Sequence, residues 1–121
     1  MGGHMEDNIL QTIKHLLGIP EEYNVFDNDI LVHINSVIDV LYQLGYGDGT
    51  FYLVYGTETW DQYLENAKDL NLIKTLMYLR VKLLFDPPTS SAAMQSFQNL
   101  INEFEFRVNM FVDRDSSGEE V

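Results

Sequence analysis

Asp69 to Met94 reads DLNLIKTLMYLRVKLLFDPPTSSAAM, and this stretch decides the fold. Leu72, Ile73, Leu76, Met77, Leu79, Val81, Leu83, Leu84 and Phe85 spread over more than half of a helix circumference. A surface helix needs a narrower apolar stripe, so this helix is expected at the centre, packed on several sides. Asp86-Pro87-Pro88 stops it: proline has no amide for the helical ladder, and the first of the pair disfavours helical geometry at Asp86. Thr89, Ser90 and Ser91 then supply hydroxyls to cap a new helix. The order predicts a long αα-hairpin, Asp69–Phe85 and Ser90–Phe111, turning on a stiff corner.

In the second arm Met94, Phe97, Ile101, Phe104, Val108 and Phe111 alternate by three and four, the spacing of one face docked along a partner helix. Leu76, Leu83, Phe97, Ile101 and Phe104 are expected among the buried contacts. Leu100, Phe106 and Met110 fall outside the stripe. A large aromatic there either lies at an edge or meets another chain, so Phe106 is a candidate contact.

Working back towards the N-terminus, Glu58–Asn66 carries Trp60, Tyr63 and Leu64 at helical spacing behind a capping Thr59, and Trp60 reads as a core anchor. Before it, Gly45, Gly47, Gly49 and Gly56 enclose Phe51-Tyr52-Leu53-Val54-Tyr55. Asp48-Gly49 is a turn signal and the aromatic, β-branched run predicts a short strand. Such a strand pairs either in a local hairpin or with a neighbouring copy, which makes Phe51, Tyr52 and Tyr55 candidate contacts.

A helix from Asp27 to Leu44 carries the stripe Ile30, Ile34, Val37, Leu41 and Leu44, widened by Leu31 and Ile38 and stopped by Gly45. The acids at its start suit the positive end of the helix dipole. They lack the glycine and distal glutamate of a calcium loop. The first helix, capped by Asp7 or Asn8, has a predicted stripe of Ile9, Leu10, Ile13, Leu16 and Leu17, with Gly18 and Pro20 ending it. Tyr23 and Phe26 in the following linker either pin it to the bundle, the favoured reading, or join a subunit contact.

With 121 residues the chain suffices for one domain with a real core, and residues 5–112 are assigned to it. Met1-Gly2-Gly3-His4 reads as a vector-derived remnant ahead of a natural start at Met5. Residues 113–121, polar and acidic, are expected to form a flexible tail containing Arg114. With 19 Asp/Glu against 7 Lys/Arg the net charge is −12, which argues against ordinary attraction to nucleic acid or an anionic membrane. There are no cysteines, so disulfides and thiolate metal sites are excluded.

No catalytic constellation can be assembled. His15 and His33 stand on separate helices without metal-ligand spacing, and the Gly45-x-Gly47-x-Gly49 run lacks the phosphate-loop pattern. Ser90 and Ser91 read as caps. Lys74, Arg80 and Lys82 form a sparse basic group, paired with acids in the same chain or across subunits. No enzyme activity, cofactor or metal is expected.

The run LLFDPPTSSAAM, with the helix before it and the Phe97/Ile101/Phe104 helix after it, resembles the head-tail connector (adaptor) family of tailed bacteriophages and prophages. The segments Ile9–Gly18, FDNDILVHINSVIDVLYQLG and the Trp60 region extend the similarity over roughly Asn8 to Asn109. The resemblance implies a structural protein that forms a ring beneath the portal protein, following a twelve-fold portal. The genome passes through such a ring without specific binding, and a downstream neck, stopper or tail protein attaches to it. It also implies a place in the virion neck, after assembly from the bacterial host cytoplasm. Phe51, Tyr52, Tyr55, Phe106 and Arg114 are the candidate subunit or portal contacts. The competing reading is an acidic DNA mimic that inhibits a DNA-binding enzyme; it rests on net charge alone, and the carboxylates are dispersed rather than arrayed on one face. The expected architecture is mainly α: a small helical bundle with a long αα-hairpin and a short β-strand or hairpin insertion.

Overall fold

Helix α1 (Ile9–Leu16) begins where the Asn8 side-chain oxygen accepts the Gln11 amide hydrogen at 2.9 Å, satisfying a donor that the first turn leaves unpaired. The computed structural model describes residues 7–65 and 67–120, with side chains to Phe111; the N-terminal tetrapeptide and Val121 lie outside the described residues. The helix ends at Gly18, whose φ of +83° is readily adopted only without a Cβ, and the Ile19 amide closes back on the Lys14 carbonyl at 2.9 Å. Its buried face is not quite the expected one. Ile9, Leu10 and Ile13 are buried, but Leu16 is 43 % exposed and Lys14 is fully enclosed. The face is rotated towards Lys14 because its ammonium finds partners inside: the Glu21 carbonyl at 3.0 Å and the Asp27 carboxylate at 2.8 Å.

Helix α2 (Asp27–Gln43) buries Ile30, Ile34, Val37, Ile38 and Leu41, with Leu31 and Leu44 packed at the edge of the core, as the spacing predicts. Its end is fixed by Gly45 at φ +108° and a bond from the Tyr46 amide to the Leu41 carbonyl. The linker before α2 is pinned to the bundle through aromatic rings: Phe26 meets Phe85 edge-on at 5.3 Å, and Tyr23 meets Phe26 at 5.9 Å. The single turn α3 (Trp60–Tyr63) is shorter than expected but carries a full capping box, in which Thr59 and Gln62 satisfy each other's backbone amides. Trp60 is the core anchor foreseen; its indole N–H donates to the Thr12 hydroxyl at 3.1 Å.

Helix α4 (Leu70–Phe85) is central and packs against α1, α2 and α5 (Ser91–Glu120). It buries Ile73, Leu76, Met77, Leu79 and Val81, while Leu83 and Phe85 are half-buried and Leu84 is exposed. Residues 86–90 make the corner, with Asp86 out of helical geometry (φ −149°, ψ 67°) before the prolines and the Ser90 hydroxyl accepting the Ala93 amide hydrogen at 3.1 Å. The hairpin is closed by Ile101 and Val108, buried, and by Phe97 and Phe104, half-buried against the core. Arg80 and Glu105 bridge its arms at 2.5 Å. Helix α5 does not stop near Phe111. Its backbone stays helical to Glu120, through most of the segment read as a tail, where no proline interrupts it; the side chains there, Arg114 included, lie outside the described residues.

The expected strand at Phe51–Tyr55 is a correction. Among the described residues it joins no ladder, and the β-type pairing recorded is an isolated antiparallel bridge between Asn8 and Thr59. The reason is that side chains take the place of a partner strand. The Asn35 amide donates to the Leu53 carbonyl at 3.0 Å and accepts from the Leu53 amide at 2.8 Å, while the Glu58 carboxylate collects the amides of Val54, Tyr55 and Gly56 at 2.8–3.1 Å. With these groups satisfied, that edge of the segment needs no hairpin within the chain.

Candidate functional site

The loop that crosses the end of the bundle owes its shape to Glu58. Burial pushes this carboxyl up, but the amides of Val54, Tyr55 and Gly56 that donate to it outweigh burial and hold it below the usual carboxylate range. Gly56, at φ +84°, lies so close to α1 that a Cβ there would stand 2.8 Å from Leu10 Cδ2. Asn8 adds a bond to the Gly56 carbonyl at 3.0 Å, and the Ile9 amide one to the Glu58 carbonyl at 3.0 Å. The backbone is thus drawn inward on both sides of a tip whose side chains are left outside. Val54 is exposed and Tyr55, at 83 %, even more so.

The sequence-selected residues therefore divide. Phe51 is half-buried and stacks on Tyr63 at 5.1 Å between ring centroids, so most of its surface is spent within the chain. Tyr52 is exposed, but its hydroxyl donates to Asp39 at 2.9 Å, and that bond pushes the phenol up from its ordinary value. Among the described residues no ring contact or side-chain hydrogen bond engages Tyr55 or Phe106, the latter 65 % exposed. Leu100, Phe106 and Met110 are all exposed on α5, outside the buried stripe as expected. The structure thus brings Phe51 and Tyr52 together on the glycine-bounded loop and leaves Phe106 on a separate helix.

The sparse basic group and Arg107 are engaged. Lys74 stands 5.5 Å above the Trp60 ring, Arg80 pairs with Glu105, Lys82 lies 3.5 Å from Asp86, and Arg107 pairs with Glu103 while stacking over Phe104. His15 is exposed and His33 packs beside Phe85 at 6.4 Å. Among the described residues no three or more His, Asp or Glu side chains are grouped to hold a metal ion.

A helical bundle with a net negative charge, mostly engaged cations and exposed aromatics offers surfaces for contact. Residues 9–115 match the family model described as phage connector protein. The chain belongs to that family. No curated protein and no solved structure matches it. The match runs from the first residue of α1 into the C-terminal part of α5, so the whole bundle of this phage head-tail connector, including the Pro87-Pro88 corner and the Glu58 loop, falls within it. Two features of the connector were not read from its sequence. Lys14 and Asp27 are far apart in the chain and meet only because Gly18 and Pro20 fold the linker back. Asn35 gave a faint signal, as a half-buried polar residue between Ile34 and Ile38 on a face that otherwise carries apolar side chains.

Proposed function

We propose that this connector is an adaptor of the virion neck, a structural rather than catalytic protein that forms a ring beneath the portal and receives the next neck or tail protein on its other side. Membership of the connector family carries the reading. The ring itself, its expected twelve-fold order and the passage of DNA through it are part of the proposal. Closure of a ring requires a heterologous contact, one patch of a copy meeting a different patch on the next. Tyr55 with Val54 on the loop, and Phe106 with Met110 on α5, are two exposed apolar patches that such a contact can join. The acidic C-terminal segment 113–121, with Arg114, belongs to the proposed docking surface.

A net charge of −12 per copy suits a passage that must not hold duplex DNA, since attraction to phosphate needs a positive lining that releases counterions. The pairing of Arg80 and Arg107 with acids of their own chain further reduces the charge available for DNA. No described helix is long and apolar enough to cross a membrane. Co-sedimentation with the cognate portal protein tests the reading: the full chain is expected to travel with the portal and a chain truncated after Val112 to do so less. A full chain that never accompanies the portal would overturn it.

A further inference from the structure

Between the glycine loop and the segment after α3 lies an open cleft of about 490 Å³, with Gly47, Asp48 and Phe51 on one wall and Gln62, Tyr63 and Glu65 on the other. It is within the size range of small-ligand pockets. Three properties of its lining point the same way. Asp48 and Glu65 place carboxylates there and the cleft is lined by no Lys or Arg. Phe51 and Tyr63, stacked on each other with 22° between their planes, give it aromatic surface. The third is an orphan: Tyr63 is only 7 % exposed, and its hydroxyl oxygen is enclosed without a hydrogen-bond partner among the described residues.

An enclosed polar group without a partner is rare in a finished structure, because it has given up water for nothing in return. The cost is reduced if the hydroxyl is paired in a complex. The loop opposite lies directly over the Tyr63 ring. Gly47 has φ +86°, and a Cβ on it would stand 3.4 Å from Tyr63 Cε1, the ring carbon next to the one that bears the hydroxyl. Beside it, both bonds from Thr50, from its amide at 2.9 Å and its hydroxyl at 2.7 Å, go to Asp48 Oδ1, which leaves Oδ2 to accept another donor. These same bonds hold the Asp48 carboxyl below its usual range and so keep it charged.

We propose that this cleft receives an arginine side chain from a partner protein. A guanidinium is flat, stacks on aromatic surface and presents several N–H donors in one plane. It can therefore lie against the outer edge of the Phe51/Tyr63 pair, donate to Asp48 Oδ2 and Glu65 at the rim, and, when the Gly47 loop opens over the enclosed oxygen, give the Tyr63 hydroxyl its missing donor. A lysine ammonium offers the charge but not the plane, and an anion would meet two carboxylates. The inference rests on the adaptor reading only for where the arginine comes from, a neighbouring protein of the neck; the chemistry of the cleft belongs to this chain alone.

The test uses the isolated full chain and needs neither portal nor ring, so its outcome is separate from that of the adaptor reading. Amide NMR spectra are followed while acetyl-Gly-Arg-Gly-amide is added, with the citrulline peptide as an uncharged analogue of the same shape. Saturable shifts confined to Gly47, Asp48, Phe51, Gln62, Tyr63 and Glu65, absent with citrulline and weakened several-fold by Tyr63→Phe, are the expected result. Tyr63→Phe should leave the melting temperature unchanged or raised, since it removes only an unpartnered hydroxyl. Shifts that are absent, that spread over the other surface acids, or that persist equally in Tyr63→Phe would overturn the proposal. So would a fall in melting temperature in that variant, which would show that the hydroxyl already has a partner inside the chain.

Discussion

Asn35 grips Leu53 by both of its main-chain groups, donating to the carbonyl at 3.0 Å and accepting from the amide at 2.8 Å. This reciprocal pair is what an antiparallel neighbour would supply, and it explains why an aromatic, strand-like segment lies on a helix without a sheet. Asn35→Leu keeps the branching at Cγ and removes both bonds. It should destabilise the fold by about 1–3 kcal/mol in urea denaturation, because two partly buried backbone groups lose their partners. A loss below about 0.5 kcal/mol would mean that the grip contributes nothing beyond an ordinary surface contact.

Lys14 and Asp27 give a directional test. Removing the acid leaves a fully buried ammonium with the Glu21 carbonyl as its described partner, so Asp27→Ala should cost roughly 3–5 kcal/mol. Removing the cation leaves a carboxylate that is 30 % exposed and can be hydrated, so Lys14→Met should cost much less. Equal losses in the two variants, measured by chemical denaturation, would count against an enclosed lysine.

Glu58 sets a pH dependence. Its folded carboxyl titrates below the ordinary 4.5, so its contribution to stability is present in full above that pH and is lost as pH falls through the depressed folded value. Melting temperatures of the chain and of Glu58→Gln should differ near neutrality and converge in acid. A constant difference across the acid range would show that ionisation of Glu58 is not what holds the loop.

The hairpin is probed from α5. Ile101 is 1 % exposed, so Ile101→Ala should cost about 2–5 kcal/mol. Phe97 is half-buried, and Phe97→Ala should fall below the roughly 3–5 kcal/mol of a fully buried phenylalanine. Urea denaturation checks the order, and a larger loss at Phe97 than at Ile101 would reverse the assignment of the docked face.

What could be read from the sequence was the part governed by local periodicity. The stripe of α2, that of α5 as far as Val108 (Phe111, read as its last member, is exposed), the breadth of α4, the proline corner and the caps at Asn8, Thr59 and Ser90 all depend on residues within a turn or two of each other. The loop at 46–59 was misread because its backbone bonds go to Asn35, a distant side chain, and to Glu58, an acid lying past the apparent strand. Lys14 displaced Leu16 from the buried face for a similar reason, its partners being supplied by the folded-back linker. The end of α5 was set too early because composition, rather than a stop residue, was used to mark it. For the candidate contacts, sequence identified aromatics off the core stripe; it could not tell that Phe51 is engaged with Tyr63 while Tyr55 and Phe106 face outward.

The claim that matters most is assembly, and electron microscopy of the chain mixed with its cognate portal protein tests it most directly. Closed rings coaxial with the portal and matching its symmetry are predicted for the full chain. Tyr55→Ser and Phe106→Ser, exposed positions whose change should move stability by less than about 0.5 kcal/mol, should reduce ring closure while melting as the parent does. Portals that remain bare at every concentration of added connector would contradict the account.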